Sequence, residues 1–160
     1  MFFVLFQHKH GWRFQKRPGL DMFLSQIGYP HFELVIYTVE TPMTFFNIIE
    51  SLDPQNQHIN YRLFRDATKF VNGHPTKDVD SLNRDPKKVI LVDWNKDSVA
   101  LGMENALLLK KWEGDTKDTG LIGLAQLLQS KYHTVWKFKR FSATQILREI
   151  NDFFYSYQTN

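Results

Sequence analysis

Hydrophobic and polar positions alternate along this chain in two rhythms, and the switches between them mark out the elements. Between residues 19 and 28, Leu20, Phe23, Leu24 and Ile27 fall at i, i+3, i+4 and i+7, which predicts an amphipathic helix stopped by Gly28 and Pro30. Residues 32–37, Phe-Glu-Leu-Val-Ile-Tyr, form a near-continuous apolar run of strand length, and a strand apolar on both faces implies a sheet covered on both sides. Thr41-Pro42 then opens a second helix, with a capping hydroxyl followed by proline at the first helical position. That helix carries Phe45, Phe46, Ile49 and Leu52 and ends at Asp53-Pro54.

Residues 59–64 read as another strand, and Asn72-Gly73 beyond it favours the positive φ angles of a two-residue hairpin turn. Pro75 makes the returning strand an edge. Residues 88–93 are the clearest buried strand, ending in Asp93, where an α/β sheet presents side chains to ligands. Residues 106–109 suggest one more short strand, and Leu121, Leu124, Leu127 and Leu128 mark a helix running toward Tyr132. A last helix is expected from the capping box of Ser142 and Gln145, with Ile146, Ile150, Phe153, Phe154 and Tyr157 as its apolar stripe. Strands alternating with helices argue for a three-layer α/β domain with a mainly parallel sheet.

Length and composition narrow the class. One domain suits 160 residues, and 42% hydrophobic with 23% charged residues is neither disordered nor fibrous. The longest apolar run, residues 1–6, is far below the roughly 20 that span a bilayer, so no transmembrane helix is expected. The absence of cysteine excludes disulfides, thiolate metal sites and a Cys nucleophile. Net charge is +3, and the excess sits at the ends. Lys9, Arg13, Lys16 and Arg17 precede the first acid, Asp21; Lys131, Lys137, Lys139, Arg140 and Arg148 form a second acid-free basic stretch. Such a split is either a solvated surface or a docking patch for an acidic partner.

Candidate chemistry is sparse. Asp78-Val79-Asp80 has the form of a paired-carboxylate phosphotransfer motif, but His74-Pro75-Thr76-Lys77 before it is not a buried strand, so a solvated turn or helix cap is the better expectation. The six histidines form no i, i+4 pair, and no metal site is expected. No P-loop, dinucleotide fingerprint or nucleophile elbow occurs, so no cofactor is expected. Trp12, Trp94, Trp112 and Trp136 could stack on bases, though packing is the commoner use of tryptophan.

Five segments, in order, carry a resemblance. They are Gly11-Trp12-Arg13-Phe14-Gln15-Lys16-Arg17-Pro18-Gly19, Val35-Ile36-Tyr37-Thr38-Val39-Glu40-Thr41, Tyr61-Arg62-Leu63-Phe64-Arg65-Asp66-Ala67-Thr68, Leu82-Asn83-Arg84-Asp85-Pro86 and Val89-Ile90-Leu91-Val92-Asp93. Together they resemble the NLI-interacting-factor domain of the haloacid-dehalogenase-like superfamily, and within it the presequence-receptor subunits of the mitochondrial inner-membrane translocase. The resemblance covers residues 11–130 and implies a haloacid-dehalogenase-like α/β domain over 11–160, with a β-hairpin and its first strand largely missing. Residues 1–10 are then a remnant of that strand or an N-terminal extension. Residues 1–17, basic and acid-free, could alternatively serve as a crude targeting segment, and the membrane helix of a typical receptor is not in this sequence.

The same resemblance frames the enzyme question. Phosphatases of this superfamily place a hydroxyl at a strand end, matched by Thr38, a lysine, matched by Lys77, and a metal-binding acid, matched by Asp93. The next acid or amide is Trp94 here, and residues 1–10, where the aspartate nucleophile belongs, contain no acid. The expectation is therefore a non-catalytic protein with Thr38, Lys77 and Asp93 as vestigial phosphatase positions. The plainer reading of the three is a strand-end hydroxyl, a surface lysine and a helix-capping acid. A magnesium-dependent polymerase-tail phosphatase stays as the alternative. By the resemblance, Arg13 and Lys16 dock the channel subunit, mitochondrial presequences are the ligand, and the location is the intermembrane-space side of the inner membrane. The chemistry suits this, since a presequence lays an apolar stripe in a groove while its cations meet acids. No nucleic-acid partner is expected.

Overall fold

The computed structural model describes residues 3–9, 11–131 and 147–148. In chain order the elements are β1 (Phe3–His8), β2 (Gly11–Lys16), α1 (Leu20–Ile27), β3 (Leu34–Tyr37), α2 (Pro42–Leu52), β4 (Ile59–Leu63), β5 (Lys69–Val71), β6 (His74–Thr76), β7 (Leu91–Asp93), β8 (Ala106–Leu108) and α3 (Gly120–Lys131). A nine-residue 3₁₀ segment, Asp97–Asn105, kinks at Gly102 and links β7 to β8. The helix expected from Ser142 onward lies outside the described residues apart from Leu147 and Arg148.

The chain divides into two compact units. The first holds Met1–Asp66 and Lys110–Gln129. Here β1 and β2 form an antiparallel hairpin, while β3 and β4 pair in parallel through the crossover helix α2. Residues 1–6 thus contribute to a strand, but it pairs with β2 rather than taking a place among parallel strands. The stripe of α1 is buried as its spacing predicts: Leu20, Phe23, Leu24 and Ile27 are all core. Helix α3 buries Leu121, Leu124, Ala125 and Leu128, again one face of a helix.

Two polar anchors hold this unit's turns. Asp53, at the end of α2, accepts backbone N–H bonds from Gln57, His58 and Ile59 at 2.8–3.0 Å and so fixes the entry to β4. Arg17 donates to both carboxylate oxygens of Asp118, which also accepts the Gly120 N–H at the start of α3. Gly19, between Arg17 and α1, has φ +77°, and a Cβ there would meet Ile122 at 2.9 Å. Thr41 occupies the N-cap of α2 with Pro42 following, but its hydroxyl meets that of Thr44 rather than capping a backbone N–H.

The second unit contains Ala67–Leu109. The predicted hairpin is present, β5 against β6, with Asn72 and Gly73 both at positive φ. Strands β7 and β8 are parallel. Strand β7 is shorter than the apolar run of 88–93, because Asn105 Nδ2 takes the carbonyls of Pro86 and Val89 into side-chain hydrogen bonds. Val79, Leu91, Val99 and Ala106 make the core, with Val89 against it. Among the described residues no helix is long and apolar enough to cross a membrane.

Candidate functional site

The second unit brings two of the sequence-predicted positions into contact. Lys77 follows β6, Asp93 ends β7, and each is only 7% exposed. The Lys77 ammonium donates to Asp93 Oδ2. Lys77 is thereby corrected from a surface lysine to one half of a buried ion pair, held in place also by its own N–H on the Ser98 carbonyl at 2.8 Å. Burying an ammonium without a partner is prohibitive, so the long stem threads inward only because Asp93 waits at the end of the neighbouring strand.

Asp93 has further partners. Ser98 Oγ donates to Oδ2 at 2.8 Å, and the N–H groups of Trp94 and Asn95 donate to Oδ1 at 2.6 and 3.2 Å. The acid therefore caps the loop after β7, as a helix-capping acid would. Burial pushes its carboxyl up, but the Lys77 charge and the hydrogen bonds from Lys77, Ser98 and Asn95 outweigh it and hold the group below its ordinary value. An ionised, fully engaged carboxylate is a poor proton donor at neutral pH. Ser98 and Asn95 escaped the sequence reading; their only signal is an Asx-type turn residue and a hydroxyl shortly after a strand-ending acid.

Thr38 belongs to the first unit. Its N–H continues the β3–β4 ladder onto the Leu63 carbonyl at 2.9 Å, and its hydroxyl accepts the Glu40 N–H at 3.2 Å in a local turn. Asp78 is buried, accepts from Ser81 and the Asp80 N–H, and pairs with Lys69 at 2.6 Å. Asp78-Val79-Asp80 is thus a cap on a 3₁₀ turn, as expected, though Asp78 is not solvated. Trp112 is buried, donating to the Asp115 carbonyl, whereas Trp94 is exposed.

Arg13 and Lys16 both lie on β2. Three positions apart on a strand, they point to opposite faces. Arg13 is exposed; Lys16 is half-buried and pairs with Asp21 at 2.9 Å.

The residues present do not fit the magnesium ion that haloacid-dehalogenase-like phosphatases use. Such an ion asks for about six oxygen ligands, including carboxylates beside substrate and water. Asp93 is committed to four donors, its successor is Trp94, and no group of three or more His, Asp or Glu that could hold a metal occurs among the described residues.

Comparison with known proteins follows the same lines. The fold is that of the haloacid-dehalogenase-like phosphatases: "The Structure of Fcp1, an essential RNA polymerase II CTD phosphatase" superposes with a TM-score of 0.70 at 16% identity, covering 92% of this chain and 59% of that one. A family model described as NLI interacting factor-like phosphatase matches residues 1–140, and the chain belongs to that family. The mitochondrial import inner membrane translocase subunit TIM50 of Caenorhabditis elegans is 50% identical over 123 residues, and its human counterpart 45% over 120. These matches take in 77% and 75% of this chain but only 27% and 33% of those proteins, so the chain spans about a quarter to a third of the length of the curated relatives it matches.

Proposed function

We propose that this domain acts without catalysis as a receptor and adaptor of the mitochondrial presequence translocase, on the intermembrane-space side of the inner membrane. It binds targeting sequences and docks the channel subunit. The likeness to TIM50 subunits at 45–50% identity supports the translocase setting. The observation that carries the non-catalytic part is the state of Asp93, spent on Lys77, Ser98 and two backbone N–H groups, with Trp94 after it and no acid in residues 1–10. Without a carboxylate nucleophile no phosphoryl-enzyme forms. Thr38, Lys77 and Asp93 are on this reading vestiges of a phosphatase site, two of them retained as a structural pair.

Arg13 and Lys16 are the docking cations for the channel subunit. The test is a pull-down from mitochondria with the tagged 160-residue chain, reading whether the channel subunit comes with it. Its absence from the captured material, with the bait folded, overturns the adaptor reading. Membership of a phosphatase-named family and the Fcp1 fold favour a second reading, a magnesium-dependent protein phosphatase. Release of phosphate from a phosphopeptide that requires magnesium and disappears in Asp93→Asn would establish it in place of the first.

A further inference from the structure

Parallel sheets in proteins are ordinarily covered on both faces, and residues 32–37 carry the apolar character that such cover demands. In the β3–β4 pair one cover is plain. Arg62 is the register partner of Ile36, and its guanidinium reaches Glu50 of α2 at 3.0 Å, so α2 lies over the face of Ile36 and Arg62. Side chains alternate along a strand, which puts the partners Val35 and Tyr61, and Tyr37 and Leu63, on the opposite face. There Val35 is 37% exposed and Tyr61 52% exposed. The sheet that the sequence predicts as covered twice is open on this side.

We propose that this open face of β3–β4 seats a basic amphipathic helix, with Val35, Tyr37, Tyr61 and Leu63 against its apolar stripe. The proposal rests on the receptor reading above and gives its ligand a surface. Two strands about 4.8 Å apart, with their side chains, offer a strip about 10 Å wide, the diameter of one helix. Four-residue strands span about 13 Å, or roughly two and a half helical turns, enough for anchors at i, i+4 and i+7. Tyrosines suit such a seat, because the ring supplies apolar area and the hydroxyl a polar handle at the rim. Charge selects the helix. Glu33 lies two positions before Val35, hence on the same face, and is exposed, so cations at one end of the ligand meet a carboxylate.

The test uses the 160-residue chain and a fluorescent basic amphipathic peptide, with a scrambled peptide of the same composition and no apolar stripe as control. Anisotropy should show salt-sensitive binding of the first peptide and not of the second. Val35→Asp and Tyr61→Asp should each weaken it about tenfold or more while circular dichroism stays that of the parent. Glu33→Gln should flatten the salt dependence. If the parent chain binds no peptide, the receptor reading falls and this proposal with it; if the parent binds and both variants bind equally well, only the seat is wrong. A spin-labelled peptide on the parent chain decides independently of any variant's folding: broadening of the amide signals of residues 35, 37, 61 and 63 supports the seat, and broadening elsewhere overturns it. A dimer in sedimentation that Tyr61→Asp dissolves and the peptide cannot displace also overturns it, by making a second copy the occupant.

Discussion

The guanidinium of Arg17 grips the carboxylate of Asp118 through two hydrogen bonds, 2.7 Å from Nε to Oδ1 and 2.9 Å from Nη2 to Oδ2. Arg17 is almost fully buried, and the pair joins the turn before α1 to the start of α3. Such a fork is geometrically specific, since the planar guanidinium matches both oxygens at once. Replacing Arg17 by Ala should cost about 2–4 kcal/mol, because Asp118 is left with its backbone contact alone. Arg17→Lys should recover only part of this, since one ammonium cannot make the fork. Urea unfolding of the three proteins checks the order.

Lys77 and Asp93 should behave as a unit. Lys77→Met leaves a buried carboxylate without its cation and should lower stability by about 3–5 kcal/mol. Asp93→Asn, which leaves the ammonium buried, should cost a similar amount. The double variant should lose clearly less than the sum of the two, and a double-mutant cycle in denaturant measures that coupling. Additive losses would mean the two groups do not interact.

Acid should unfold the protein through four aspartates. Lys69 and Ser81 hold Asp78 below the usual carboxylate range, and hydrogen bonds from Arg17 do the same for Asp118. Burial pushes Asp53 and Asp93 up, but the N–H groups around Asp53, and Lys77 with Ser98 beside Asp93, outweigh it. In each case the folded value lies below the unfolded value of about 3.9, so the stabilisation is present above that pH and is lost as pH falls through the folded value. Stability should therefore be level from about pH 7 to about 5 and fall steeply below about 4. Unfolding free energies measured along that range, in the parent and in Asp118→Asn, should show a shallower acid fall in the variant.

Capture of the channel subunit should depend on Arg13 and Lys16. Charge reversal of either to Asp should weaken it without altering the fold, since Arg13 is exposed and Lys16 pairs only at the surface with Asp21. Quantitative pull-down, with thermal melting as the control for folding, reads the effect. Unchanged capture in both variants would remove the assignment of these residues.

What the sequence made legible was local. The spacing of Leu20, Phe23, Leu24 and Ile27 announced α1 and its buried face, and Asn72-Gly73 announced the β5–β6 turn, because both signals lie within a few residues. Lys77 was misjudged because the group that draws it inward stands 16 positions later, and no local pattern shows that pairing. The extent of β7 was overestimated for a related reason: an amide from Asn105 takes the carbonyls that a strand would have used. Thr41 had the right chemistry for a cap, yet another hydroxyl, that of Thr44, took its place as partner. The open face of β3–β4 was unreadable too, since apolar residues on both sides say that cover is wanted but not that it is supplied.

The alternation along β2 has a geometric corollary for any protein that grips the β1–β2 ribbon. Arg13 and Lys16 stand about 10 Å apart along the strand and look in opposite directions. A flat surface can touch one of them, whereas a binder that meets both must wrap the ribbon's edge. Two contacts so separated contribute independently, so their free-energy losses on reversal should sum, and a clamp-shaped binder should feel both while a planar one feels a single loss.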